Sequence, residues 1–449
     1  MTTATAIEHD VYAAAFERLA AGRQTEPGEL AELRRRAMER FGALGFPTKR
    51  LEEWRSTDVS PVARTEFDLD PSGDAAAVTA ADLERLSYGD VYEMVFVNGR
   101  FSPELSRLEG LPDGVTVTNL ARALEDSPER VMAHLGHHAK FEDHAFVALN
   151  TALFTDGVFI HAARGVVMEK PIHLIHVGRP SGGAAPASFP RYLFVAEESS
   201  QLTIVEQYAT HGGSEGAHFT CPVTEVVVGD NAVIDHYKLQ RESTEAFHLA
   251  TFQLYQTRDA NFSSHAITWG GAIVRNDVNA ILDGEGGETT LNGLYMVEGT
   301  QLVDNHMRVE HAKPHCDSHE LFKGILEGKA RTVFSGRIFV HEGAQKTDAK
   351  QTNRNLLLSP DAVANSNPQL EIFADDVRCT HGSTIGQLDD LAVFYLRSRG
   401  IGEEAAKSLL TYAFAADIVG RIKVAEVRRD LEEFLFRRLP RGEVVRQAV

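Results

Sequence analysis

Near the start of the chain, apolar side chains recur every three or four positions. Val11, Ala14, Ala15 and Leu19 do so within Val11–Ala21, and Leu30, Leu33, Ala37 and Phe41 within Leu30–Phe41. This spacing predicts two helices, each burying one stripe. Gly42, Gly45 and Pro47 end the second. The stretch Asp68–Ala81, rich in Asp, Ala, Gly and Ser, reads as a loop or linker. A short helix is expected over Pro128–Leu135, with Ser127 as its N-cap and Pro128 at its first position.

From about Asp143 to Leu388 the period shortens. Apolar and β-branched runs appear at Tyr192–Ala196, Leu202–Tyr208, Thr224–Val228, Ala232–Leu239, Thr289–Val297 and Thr332–Val340. In the last of these, Phe334, Gly336, Ile338 and Val340 alternate as one buried strand face requires. Turn-like residues at Ser199, Asp230, Asp259, Glu285, Gly299, Gly328 and Gly343 are separated by 31, 29, 26, 14, 29 and 15 positions. The gaps cluster near one length and its half, as in a solenoid whose coils each contain a few short strands. A β-sandwich or barrel would also give regular short strands. Beyond Leu388 helical spacing returns in Leu391–Arg397, Glu403–Ala416 and Val424–Phe436, with Gly400 and Gly402 as a break. The expected organisation is a largely helical region at 1–142, a β core at 143–387 and a helical domain at 388–449.

Composition narrows the function. The 449 residues carry 45 Lys and Arg against 64 Asp and Glu, a net charge of −19, which argues against a general nucleic-acid or anionic-membrane binder. No run of 18 apolar residues occurs, and the first residues show no secretory signal. Three cysteines, Cys221, Cys316 and Cys379, fit a reducing compartment, so a cytoplasmic protein is expected. The phosphate-loop, nucleophile-elbow and His-Glu-x-x-His motifs are missing, as are paired Cys-x-x-Cys motifs. The glycine-rich Asp283–Thr290 reads as a turn between strands.

Two groups of residues could still carry chemistry. His311, His315, Cys316 and His319 lie within nine positions, either as metal donors or as ordinary strand and surface residues, and Pro314 interrupts any regular strand through them. Cys379 and His381 are two apart, so an extended backbone puts both side chains on one side. Thiolate and imidazole together suit zinc, ferrous iron or the edge of an iron–sulfur cluster. A buried inert thiol or a Cys–His catalytic pair would use the same two residues. Two donors do not close a four-coordinate site, so a metal reading requires donors from elsewhere. The basic residues Arg421, Lys423, Arg428, Arg429, Arg437, Arg438 and Arg441 read as a solvated helix face, or as a docking surface for an acidic partner.

Four ordered segments carry a resemblance. They are Phe334-Ser-Gly-Arg-Ile338; Gln345-Lys-Thr-Asp348 with Asn353-Arg-Asn-Leu-Leu-Leu-Ser359; Pro368 through Gly382, including Cys379-Thr-His381; and Phe394-Tyr-Leu-Arg-Ser-Arg-Gly400. Together they resemble the SufB/SufD family of iron–sulfur cluster assembly proteins. Gly45-Phe-Pro-Thr-Lys-Arg-Leu-Glu-Glu-Trp54-Arg-Ser-Thr57 is similar to the SufD branch rather than the SufB branch. The resemblance implies a mainly β fold, a right-handed parallel β-helix core flanked by N-terminal and C-terminal α-helical parts. It implies a non-enzymatic scaffold that pairs with a SufB paralogue and binds the SufC ATPase through its C-terminal helices; the surface left unpaired when the chain is alone would also suit a homodimer. Cys379 and His381 match the family's Cys-x-His motif near the shared interface, which implies a transient iron or iron–sulfur cluster there and none tightly held by the isolated chain. Thr380 and Arg378 stand where relatives often carry Ser and Lys, which leaves both donor types intact.

Overall fold

The computed structural model describes residues 4–23, 26–70, 78–180, 183–212 and 216–448, with side chains from Val11 onward. The centre of the loop expected at Asp68–Ala81 lies outside the described residues. Helices occupy Ala4–Ala21 and Gly28–Leu44, and the second stops at Gly45, whose φ is 63° and whose N–H returns to the Phe41 carbonyl at 2.8 Å. The expected helix after Ser127 is shorter, Pro128–Met132, and the Ser127 side chain makes no capping bond. Pro128 pre-sets the first turn without that cap.

Two parallel sheets form a β-solenoid of about 8 turns. Sheet 1 runs from Gly157–Ala162 through Ile273–Leu282, Leu302–His311 and Arg331–Val340 to Val363–Ile372. Sheet 2 runs from Ile172–Gly178 through Glu288–Val297, Asp317–Leu326 and Asp348–Leu357 to Arg378–Gly386. Each strand pairs in parallel with a strand one coil away. Ile273 lies beside Leu302, Leu302 beside Arg331 and Arg331 beside Val363, steps of 29, 29 and 32 residues. The sequence markers are the corners of these coils. Ser199, Asp230, Asp259, Glu285 and Gly343 turn the chain from sheet 1 to sheet 2, and Gly299 and Gly328 turn it back. Ser199, Asn231, Asp259, His315 and Lys346 supply a left-handed residue at five such corners, with φ between 54° and 64°.

The strands start earlier than the pattern suggested. Tyr92–Val97 extends sheet 2 beyond Ile172–Gly178, and Val115–Asn119 lies antiparallel on Gly157–Ala162. Apart from Glu93, Tyr92–Val97 is apolar and nearly all buried, so it shows no alternation by which a strand could be recognised.

Side chains of one parity fill the lumen. Val274, Val303, Phe334, Leu291, Phe322 and Leu326 belong to one buried cluster there. The opposite parity faces the helices. The N-terminal helices cover sheet 1, where the Arg275 guanidinium lies 3.7 Å from the Trp54 ring centre and its Nη1 donates to Asp304 at 2.8 Å. Helices Glu403–Val419 and Ala425–Arg438 cover sheet 2, with Trp269 stacked on Phe434 at 3.8 Å between ring centres. This double cover ends before the last coil.

Candidate functional site

The last coil is the exposed end of the solenoid. Val363–Ile372 pairs only with Arg331–Val340, and Arg378–Gly386 only with Asp348–Leu357, among the described residues. Each strand therefore presents an unpaired backbone edge, which can template a further strand. Val363 and Ile385 at one corner, and Ile372 and Phe373 at the other, leave apolar surface exposed, Phe373 at 60%. Pro368 sits within Val363–Ile372, a place a sheet tolerates only at its rim.

Cys379 and His381 lie on this final strand. Their register partners, Ala349 and Gln351, are both buried in the lumen, so Cys379 and His381 take the lumen side of the top rung. Cys379 is half-buried beside the cluster of Ile338, Val340, Ala344 and Ala349, and burial pushes its thiol above the ordinary value of 9. It is therefore protonated at neutral pH, and a bound cation would have to displace the proton. His381 is exposed. No group of three or more His, Cys, Asp or Glu side chains is placed to hold a metal ion among the described residues. The two donors remain two.

The other histidine-rich run is dispersed. His311 is buried in the lumen, paired through Nε2 with Ser318 Oγ at 2.9 Å, and burial lowers its pKa to about 4. His315 stands at a corner with φ 59°, and His319 faces outward on the next strand. The buried Cys316 thiol donates to the Gly284 carbonyl at 3.2 Å. The corner at residues 312–316 separates the donors, so they form no common site.

The basic tail is mostly consumed within the chain. Lys423 pairs with Asp235 at 2.9 Å, Arg438 with Glu298 at 2.9 Å, Arg421 with Asp417 at 3.2 Å and Arg441 with Glu404 at 3.2 Å. Two of these, to Asp235 and Glu298, fasten the C-terminal helices to the solenoid. This region also exposes apolar surface. Helix Asp390–Ser398, which leaves the open end directly, buries Val393 but exposes Leu391, Phe394 and Tyr395 at 77%, 68% and 55%.

Polar groups inside the lumen were not foreseen. Glu206, His236, Lys238, Asn276 and Asn305 line a small cavity of about 40 Å³, and Lys238 Nζ donates to Asn276 Oδ1 at 2.8 Å. Nearer the open end, Gln351 Nε2 donates to Glu320 at 3.1 Å. Strand alternation through Ser318, Glu320 and Phe322 is the signal that could have found Glu320, since it puts a carboxylate on the buried face.

Comparison with known proteins bears on this geometry. A family profile described as "SUF system FeS cluster assembly, SufBD core domain" matches residues 179–414, and one described as "SufBD protein N-terminal region" matches residues 9–174. An iron–sulfur cluster assembly SufBD family protein of Synechocystis is 32% identical over 96% of this chain and 95% of its own. The iron–sulfur cluster assembly protein SufD of Escherichia coli is 32% identical over 89% of this chain and 90% of its own. SufD of Bacillus subtilis is 27% identical over 92% and 95%.

Proposed function

Because this chain belongs to the SufBD family of iron–sulfur cluster assembly proteins, we propose that it is a SufD-like scaffold subunit whose open solenoid end is half of a shared assembly site. The sister half comes from a SufB-type chain. The observation that carries this reading is the position of Cys379 and His381, side by side on the lumen side of a rung that pairs, among the described residues, only with Asp348–Leu357. A catalytic pair or an inert structural thiol would not need to stand on an unpaired edge.

The donor count supports sharing. An isolated iron–sulfur cluster usually takes four thiolates. Here Cys221 is fully buried, Cys316 is buried at a corner, and Cys379 alone is partly exposed. One thiol and one imidazole can hold iron transiently, the thiolate strongly and the neutral imidazole exchangeably. The cargo is then iron or a nascent cluster, passed on rather than kept. A second copy of this chain would cover the same edges when no sister chain is present.

ATP hydrolysis belongs to a SufC-type partner in this reading. Its docking face includes Leu391, Phe394 and Tyr395, exposed on the helix that leaves the open end. Closure of two such ATPases could move the junction through that helix, completing or opening the site. The test is co-expression with SufB- and SufC-type partners, followed by iron and sulfide analysis of the purified complex. The proposal expects a cluster-bearing complex, with a strong loss of cluster for Cys379→Ala or His381→Ala at unchanged complex yield. Wild-type cluster content in the double substitution would overturn the role given to the pair. Metal-dependent turnover of a small substrate by the chain alone would replace the scaffold with an enzyme.

A further inference from the structure

Directly beneath His381 in the lumen lies Gln351, and beneath Gln351 lies Glu320. Both are almost wholly buried, Gln351 at 1% exposure and Glu320 at 3%. One hydrogen bond joins them, from Gln351 Nε2 to Glu320 Oε2 at 3.1 Å. The other oxygen of each, Glu320 Oε1 and Gln351 Oε1, has no hydrogen-bond partner among the described residues. Two buried oxygen acceptors on an already bonded carboxyl and amide are unfavourable unless a proton lies between them. A hydrogen on Glu320 Oε1 satisfies both, because the carboxyl O–H can donate to the amide oxygen while the amide N–H donates back.

The surroundings provide no charge to hold a carboxylate. On its own strand Glu320 is flanked by Ser318 and Phe322, and below it in register is Leu291. The titratable lumen side chains on the strands packed against it are His311, committed to Ser318, and Tyr295, committed to Asn355. Cys379 and His381 lie two coils up, and no lysine or arginine faces the group from these strands. Burial accordingly raises the Glu320 carboxyl to about 8, opposed only by the Gln351 bond. Gly336 seats the amide from the opposite sheet. A Cβ there would fall 2.2 Å from Gln351 Nε2.

We propose that Glu320 is a neutral carboxylic acid locked in a reciprocal pair with Gln351, and that this pair is the uncharged floor beneath the Cys379–His381 rung. Its second half rests on the function proposed above. Glu320 is then a positioning residue. While neutral, it leaves the thiol and imidazole as the only donors at the open end, suited to transient holding. Once ionised, it puts a negative charge roughly 9.5 Å below the rung, two strand spacings, and holds a cation there longer.

The sign of the pH effect follows. The folded carboxyl lies above its ordinary value of 4.5, at about 8, so its contribution to stability is full below 4.5 and lost as pH rises towards 8. Glu320→Gln supplies an amide that donates to Gln351 Oε1 and accepts from Gln351 Nε2 with no proton to lose. Infrared difference spectra of the full-length wild type minus Glu320→Gln should show a protonated-carboxyl carbonyl band at pH 6.5 that disappears by pH 9.5. Urea midpoints should show the substitution stabilising the chain above pH 7 and flattening its pH dependence. Absence of the band at pH 6.5, or a substituted chain less stable than wild type at pH 8, overturns the pair. Cobalt(II) titration tests the functional half. Wild type and Glu320→Gln should bind equally at pH 6.5, and wild type about fourfold to a few hundredfold more tightly at pH 9.5, the range for one carboxylate charge acting on a divalent cation at this distance between water-like and protein-like screening. An equal ratio at both pH values overturns the floor role. A thiolate–cobalt absorption that survives Cys379→Ala overturns the site reading instead, and leaves the infrared result standing.

Discussion

Substitution of Glu225 by alanine should nearly unfold this protein. The carboxylate accepts Arg191 Nη2 at 2.5 Å and the backbone N–H groups of Gly136, His138 and Ala139 at 2.8, 2.9 and 3.0 Å. Neither side chain of the ion pair has any exposure. Burial alone would raise the Glu225 carboxyl, yet Arg191 and the three N–H donors hold it below 4.5. Glu225→Ala leaves a buried guanidinium with only Asn150 and Thr151 oxygens at 3.3 and 3.1 Å. Breaking one partner of a buried pair costs about 3–5 kcal/mol. Of the three N–H groups, those of Gly136 and His138 are near enough to the surface for water to replace the carboxylate. The Ala139 group is buried and adds about 1–3 kcal/mol. The sum, roughly 4–8 kcal/mol, rivals the total stability of a typical domain, about 5–15 kcal/mol. The assay is equilibrium urea unfolding followed by tryptophan fluorescence. The two tryptophans report separately, Trp54 against sheet 1 and Trp269 under the C-terminal helices. Trp54 should lose its native signal at much lower urea in the variant. A loss of less than about 1.5 kcal/mol, well under the buried-pair range, would refute the claim that this carboxylate secures the helical cover of sheet 1.

Other expectations follow from the same geometry. Glu225 and Asp277 both titrate below their ordinary values: burial opposes this, and the charges of Arg191 and Arg275 outweigh it. Their stabilisation is therefore present above about pH 4.5 and lost as pH falls further, so acid unfolding should lose steepness in Glu225→Gln, as a pH titration of the fluorescence would register. Leu391→Asp with Phe394→Asp should shift stability by no more than about 0.5 kcal/mol, since both side chains are exposed, while abolishing co-purification with a SufC-type ATPase. Gly336→Ala should destabilise by about 1–3 kcal/mol through overpacking against Gln351, measured by the shift in thermal midpoint.

Much of the architecture could be read from spacing, because coils repeat and corners have chemical demands. Ser199, Asp230, Asp259 and Glu285 mark successive corners, and all six runs named as strands lie in strands or overlap them closely. Strands with polar lumens escaped. Asp348–Leu357 places Gln351, Asn353 and Asn355 inside, which inverts the usual apolar signal, and interior bonds hold the two asparagines: Asn353 donates to Tyr295, and Asn355 to Asn353. The Cys379–His381 pair was visible as a two-residue spacing, but its place on an unpaired rung depends on where the chain stops coiling. The close spacing of His311, His315 and His319 left both readings open in the sequence, and the ordinary one holds because a corner between strands sends neighbours in sequence to different faces.

Hydrogen exchange tests the central claim most directly. The amides of Val363–Ile372 and Arg378–Gly386 are compared in the isolated chain at low concentration and after addition of a SufB-type partner. The account predicts that edge amides exchanging freely at first become protected when the partner binds, with Cys379 and His381 inside the protected stretch. Partner binding that leaves both strands exchanging as before would place the junction elsewhere and contradict it.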